Sequence, residues 1–170
     1  LGKSAIMPGA SLPAPVQALV HALNGALGNV GKTVTYLPMG EDEATSSVQG
    51  LREIADALNN GSIQTVVCLN VNPVYDAPAE LGFADSFKRA AMRITLSVDH
   101  NETVAASNWR LSGAHFLESW GDTEAYDGTI APIQPLIAPL YAGKSDIEIL
   151  GLLAGEASWN GYDLVRSVWT

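Results

Sequence analysis

Residues 65–80, TVVCLNVNPVYDAPAE, constrain this chain most. A hydrophobic run over residues 66–71 stops abruptly at Asn72-Pro73, and Pro78 then opens a segment that reads as helical. An apolar run of strand length, closed by a pair of residues that restricts the backbone, reads as a buried parallel strand feeding a polar loop. In open α/β sheets ligands are held outside the carboxyl ends of such strands. The loop after residue 71 is therefore the first place to look for binding.

The rest of the first hundred residues repeats that theme. Residues 3–7 (KSAIM) read as a short strand that turns at Pro8-Gly9-Ala10-Ser11. Val16, Leu19, Val20, Leu23 and Leu27 recur at helical spacing behind Pro13 and Pro15, and Gly28-Asn29 supplies a stop. Residues 33–37 (TVTYL) read as a second strand, residues 40–47 as a polar, acidic loop, and Val48, Leu51, Ile54, Ala55 and Leu58 as a second helical stripe. Residues 65–71 are the third strand, 78–91 a helix and 93–98 the fourth strand. Strands alternating with amphipathic helices predict an α/β fold. The expected form is a three-layer α-β-α domain with a mainly parallel, Rossmann-like, doubly wound sheet, residues 1–170 forming a single domain.

Beyond Asp99 the pattern loosens. Residues 101–107 predict a short helix capped by Asn101, and 109–111 a further short strand. Residues 119–128 read as a loop, 129–139 as extended, and 145–153 and 162–169 as two terminal helices.

Composition excludes several classes. With 170 residues, 47% of them apolar, the chain is long enough and apolar enough for a sizeable core. Its 18 acidic and 9 basic residues give a net charge of −9, which argues against a nucleic-acid surface. No run of 18 apolar residues predicts a membrane span, and no signal peptide is visible. The chain starts at Leu1 and ends in a helix-like segment, which fits a domain taken from a longer protein. The single cysteine, Cys68, lies inside the apolar strand and reads as a buried, inert thiol; one thiol does not hold an iron–sulfur cluster.

Familiar chemistry finds little support. Gly31-Lys32-Thr33 resembles the end of a phosphate loop, but it follows a helix and precedes a predicted strand, the reverse of the order that aims helix amides at a phosphate. Asp99, His100 and Glu102 match no standard metal spacing, and a loop with a helix cap explains them better. His21 reads as a packed or surface residue. His115 and Glu118 share a face only if helical. Ser11, Ser97, Ser112 and Ser119 lack a nucleophile-elbow sequence. Asp122, Glu124 and Asp127 are available for acid–base work, but an acidic solvated loop is the commoner explanation. No catalytic residue and no metal ligand is assigned. What remains is positional: residues 8–11, 38–43, 72–76 and 99–102 are expected to crowd one sheet edge.

Three blocks in order, VVCLNVNPVYDAP, ITLSVDHNETVAASNWRL and HFLESWGDTEAYDGTIAPIQP, resemble the molybdopterin oxidoreductases of the dimethyl-sulfoxide-reductase type. The matching family pattern is a strand ending in G-x-N-P, a T-E-T-A segment, an A-D-V-V-L-P strand and an acidic, glycine-containing loop before a glutamine. ALGNVGKTV, NPVYDAPAEL and LESWGDTEAYDGTIAPIQPLIAPLY are more closely similar to the large iron–sulfur subunit of alternative complex III, the Tat-translocated molybdopterin oxidoreductase iron–sulfur subunit.

The resemblance implies a domain related to those that bind molybdopterin guanine dinucleotide, with Gly9, Ser11, Asn70, Asn72, Pro73 and Glu102 at the cofactor positions. It also implies iron–sulfur clusters elsewhere in a full-length protein, and other domains and electron-transfer subunits as partners. A periplasmic, membrane-complex-associated location follows. The sequence departs from the pattern where it matters: G-x-N-P reads Asn70-Val71-Asn72-Pro73, T-E-T-A reads Asn101-Glu102-Thr103-Val104, and A-D-V-V-L-P loses its aspartate and proline. A side chain at position 70 crowds a dinucleotide. The expectation is therefore a cofactor-free, structural domain that supports electron transfer elsewhere. The alternative is a working pterin-dinucleotide domain of a molybdenum enzyme.

Overall fold

The computed structural model describes residues 1–37, 48–125 and 127–170. The polar loop expected at 40–47, and the sheet-edge loop expected at 38–43, lie outside the described residues. The chain divides into two compact units, Leu1–Asp42 and Glu43–Thr170.

The first unit is built around α1 (Ala14–Ala26), which starts behind Pro13 with a second proline in its first turn, where no amide partner is needed. Among the described residues the strands expected at 3–7 and 33–37 do not form, and the pairing seen in this unit is a single bridge between Val30 and Val34. Two buried asparagines supply the reason. Asn24 Oδ1 accepts from the Ile6 amide at 3.1 Å while Asn24 Nδ2 donates to the Ile6 carbonyl at 2.8 Å. A side-chain amide thus satisfies the backbone that a neighbouring strand was expected to satisfy. Asn29 Nδ2 donates to Asn24 Oδ1, and the Asn29 carbonyl accepts from the amides of Lys32, Thr33 and Val34. Gly31-Lys32-Thr33 is accordingly a tight turn.

The second unit runs α2 (Val48–Asn59), β1 (Thr65–Leu69), α3 (Pro73–Asp76), α4 (Phe83–Lys88), β2 (Met92–Ser97), α5 (Glu102–Ala106) and β3 (Trp109–Ser112). It continues with β4 (Gly121–Glu124), β5 (Ile130–Ile133), α6 (Asp146–Ala154) and α7 (Gly161–Trp169). Strands β1, β2 and β3 form a parallel sheet in that order, with Cys68 beside Thr95 and Leu96 beside Leu111. The α/β class is thereby established, on a sheet of three parallel strands.

Cys68 on β1, Ala55 on α2 and the stacked rings of Phe83 and Phe87 on α4 make the core, with Leu51 and Val66 packed against it. Burial pushes the Cys68 thiol up, partly offset by its hydrogen bond with Thr95. Successive strand residues face opposite sides of a sheet. Thr95 and Leu96 are both fully buried, so the centre of β2 is covered on both faces.

Two elements differ from expectation. The helix expected over 78–91 is a one-turn 3-10 segment (Ala79–Leu81) and then α4, divided by Gly82 at φ 54°, a left-handed cap that ends one helix and starts the next. The loop expected over 119–128 contains β4, which pairs antiparallel with β5. Gly121 lies opposite Ile133 in that pair.

Candidate functional site

The carboxyl edge of the sheet is the region that sequence and topology both single out. Strand β1 leads into Asn70, whose amide donates to the Leu96 carbonyl at 2.9 Å. Asn70 then takes φ 50°, the left-handed region that glycine and asparagine tolerate best. That turn sends the Asn70 side chain across the edge, where Nδ2 donates to Asp146 Oδ1 at 2.6 Å.

Asp146 arrives there through a close backbone approach. A Cβ on Gly113 would lie 2.8 Å from the Ser97 carbonyl carbon and the Val98 amide nitrogen, and one on Gly143 would lie 2.9 Å from the Gly113 carbonyl oxygen. Gly113 thus lets the end of β3 lie against the end of β2, and Gly143 lets residue 144 pair with the end of β3. The Ala114 amide donates to the Lys144 carbonyl, and the Lys144 amide to the Ser112 carbonyl, each at 2.9 Å. Ser145 then caps α6: its hydroxyl accepts from the Glu148 amide, and Glu148 Oε2 accepts from the Ser145 amide. Asp146 follows as the first residue of the helix, where the macrodipole favours a carboxylate.

A second network joins the loop after β1 to the start of α5. Asn72 Oδ1 accepts from the Thr103 amide at 3.1 Å and from Thr103 Oγ1 at 2.8 Å, and Asn72 Nδ2 donates to Glu102 Oε2 at 2.8 Å. Thr103 Oγ1 in turn accepts from the Val74 amide. Thr103 is fully buried. The Asn72 carboxamide holds the Glu102 carboxyl below the usual glutamate range, helped by the Glu102 backbone amide. Asn101 caps α5 as predicted, accepting from the Val104 amide at 2.9 Å.

A cleft of about 340 Å³ opens on the Asn70 side, lined by Asn70, Val98, His115, Phe116, Trp120 and Asp146 among others. Asn72, Pro73 and Glu102 do not line it. The sequence-predicted residues therefore fall into separate places. Asn70 faces the cleft, whereas Asn72 and Glu102 are bonded to each other beside it, and Pro73 opens α3. Gly9 and Ser11 belong to the first unit, where the Gly9 carbonyl accepts from Leu12 and Gln17 and Ser11 is exposed.

His115, Glu118, Asp122, Asp127 and His21 have structural partners. His115 Nδ1 accepts from the Leu117 amide and Glu118 Oε2 from the His115 amide, a reciprocal cap on a one-turn 3-10 segment. Asp122 accepts from Trp169 Nε1, and Asp127 from the Thr129 amide. His21 packs on Tyr36 with ring centres 4.9 Å apart. Among the described residues no three His, Cys, Asp or Glu side chains are grouped as metal ligands.

Sequence reasoning missed Asp146 and Trp120. The Ser145-x-x-Glu148 spacing announces a helix start and hence a residue at its first position. Nothing local announces that the start lies against β1, 76 positions away. The chain matches no protein-family model and no curated protein.

Proposed function

We propose that this chain is an α/β domain of a molybdopterin-oxidoreductase-like iron–sulfur protein, without a cofactor of its own, that supports electron transfer carried elsewhere in the full-length protein. Its sheet would then belong to a Rossmann-like, doubly wound arrangement. The order of the sequence blocks motivates the reading, and one contact carries it. At the position where the resembling pattern has glycine, the Asn70 carboxamide is bonded to Asp146 across the strand edge.

The residues at this edge do not fit a bound pterin dinucleotide as they stand. Asn70 would have to leave Asp146, and the Asn72 carboxamide already serves Thr103 and Glu102. Breaking that network strands the buried Thr103 groups, at a cost of about 1 to 3 kcal/mol per unsatisfied group. Cys68 is the one thiol of the chain and is buried, so it does not serve as a ligand for an iron–sulfur cluster shared with other cysteines.

The alternative, a working dinucleotide domain, draws on one observation. Asn70 keeps the left-handed backbone that glycine would take, at φ 50°. Titrating guanine nucleotide into the protein and into Asn70→Gly separates the two. The proposal expects no saturable binding to the native chain. Saturable binding to the native chain favours the working domain, and binding to Asn70→Gly alone marks a site closed by that one side chain.

A further inference from the structure

Asparagine followed by glycine occurs three times in the chain, at 24–25, 60–61 and 160–161. The pair is chemically labile, because a glycine without Cβ lets its amide nitrogen approach the asparagine Cγ. Folding treats the three pairs differently. Asn24 is buried within α1, and both polar atoms of its side chain are bonded to Ile6. Asn160 is exposed, but its Oδ1 caps α7 by accepting from the Tyr162 amide at 3.0 Å. Gly161 beside it is buried, and a Cβ there would lie 3.4 Å from Trp120 Cβ. Asn60 and Gly61, by contrast, are both exposed just beyond the carboxyl end of α2, with nothing within 4 Å of where a Gly61 Cβ would lie.

We propose that Asn60 is a site of spontaneous deamidation, selected by the fold from the three. Asn60 Oδ1 accepts from the Ser62 amide at 2.9 Å, which folds the carboxamide back over the intervening Gly61 peptide. The same N–H stands on the oxygen where charge builds when Cγ is attacked. The Gly61 amide is held by one bond, to the Leu58 carbonyl at 3.2 Å, and fraying of this exposed helix end releases it. The freed nitrogen loses its proton to solvent base and forms a bond to Asn60 Cγ. The Cγ–Nδ2 bond breaks, and Nδ2 takes a proton from solvent and leaves as ammonia. Water then opens the cyclic imide. Attack at Cγ gives aspartate, and attack at the Asn60 main-chain carbonyl gives isoaspartate, in which the chain runs through Cβ. Either product sets a carboxylate at the carboxyl end of α2, where the macrodipole disfavours it. Isoaspartate also lengthens the connection that carries the chain from α2 to β1.

The test incubates the native 170-residue chain in mildly alkaline buffer at physiological temperature and maps it with trypsin, beside an unincubated sample digested in parallel. Cleavage after lysine and arginine places Asn24, Asn60 and Asn160 on separate peptides, residues 4–32, 53–88 and 145–166. Mass-spectrometric fragmentation should locate aspartate and isoaspartate at residue 60, formed at least about tenfold faster than at residues 24 and 160. In guanidinium chloride the three rates should converge, because it is the fold that protects the other two. Asn60→Gln keeps Gly61 and its backbone but closes the ring slowly through its longer side chain, so peptide 53–88 should stay unconverted in that variant. The proposal is overturned by an unconverted residue 60 in the native chain, or by conversion of residue 24 or 160 at a matching rate. Conversion of peptide 53–88 that survives Asn60→Gln also overturns it, as does a difference between the three sites that persists in guanidinium chloride.

Discussion

The Asn70 carboxamide and the Asp146 carboxylate meet at 2.6 Å, although 76 positions separate them in the chain. The contact joins the end of the first parallel strand to the start of α6. It depends on three features: the left-handed backbone at Asn70, the glycine at 143 that brings residue 144 against β3, and the Ser145 cap that starts the helix.

Replacing Asn70 separates its backbone role from its side-chain role. Asn70→Ala loses the hydrogen bond and places a Cβ-bearing residue of lower left-handed tolerance there, so it should cost about 1 to 2 kcal/mol in urea denaturation. Asn70→Gly loses the same bond but relieves the backbone, and should be less destabilised than Asn70→Ala. Equal losses in the two variants would mean that the backbone at residue 70 carries no strain.

Gly113→Ala tests the close approach of the end of β3 to the end of β2, the surface against which residue 144 pairs. The new methyl would lie 2.8 Å from backbone atoms of Ser97 and Val98, which have no flexible end to swing away. A loss of about 1 to 3 kcal/mol is expected in the same assay. A neutral result would show that the two backbones separate easily.

The Asn72 network predicts a pH dependence. Glu102 is held below its ordinary range by Asn72, so the folded chain binds fewer protons than the unfolded chain across that window. Its stabilising contribution is present above the ordinary glutamate range and is lost as pH falls through the lowered value. Asn72→Ala should destabilise by about 2 kcal/mol at neutral pH, largely by stranding Thr103. The gap between this variant and the native chain should narrow as the pH falls through the carboxylate range. A gap that widens with acidification contradicts the assignment.

Cys68 should resist thiol reagents in the native chain, because burial removes access and raises the thiol above its usual range. Reaction with a chromogenic disulfide should proceed at the rate of unfolding and become fast in concentrated urea. Fast labelling of the native chain would contradict the packing of β1 against α2 and α4.

Local patterns in the chain foretold the central part of the fold well. Most of the apolar run at residues 66–71, as far as Leu69, the Asn101 cap and the residues 109–111 each found their place as strand, helix start and strand. The first unit was misread because β-branched residues such as those at 33–35 signal a strand only where another strand is available. The Asn29 carbonyl takes the amides of Thr33 and Val34, and the Asn24 side chain takes the backbone of Ile6, so no strand partner is called on. Residues 121–124 carry too much charge to read as a strand, and only the pairing with β5 reveals one. At the candidate site, Asn70, Asn72 and Glu102 were legible because they adjoin strand ends. Asp146 was not, because its position depends on a glycine–glycine contact between distant segments that no local pattern encodes.

The most direct test of a cofactor-free domain is the molybdenum and pterin content of the full-length native protein, measured by elemental analysis and by pterin fluorescence after denaturation. The account predicts that both fall far below one equivalent per chain. One molybdenum with pterin dinucleotide per chain, lost in a variant that blocks this sheet edge, would contradict it.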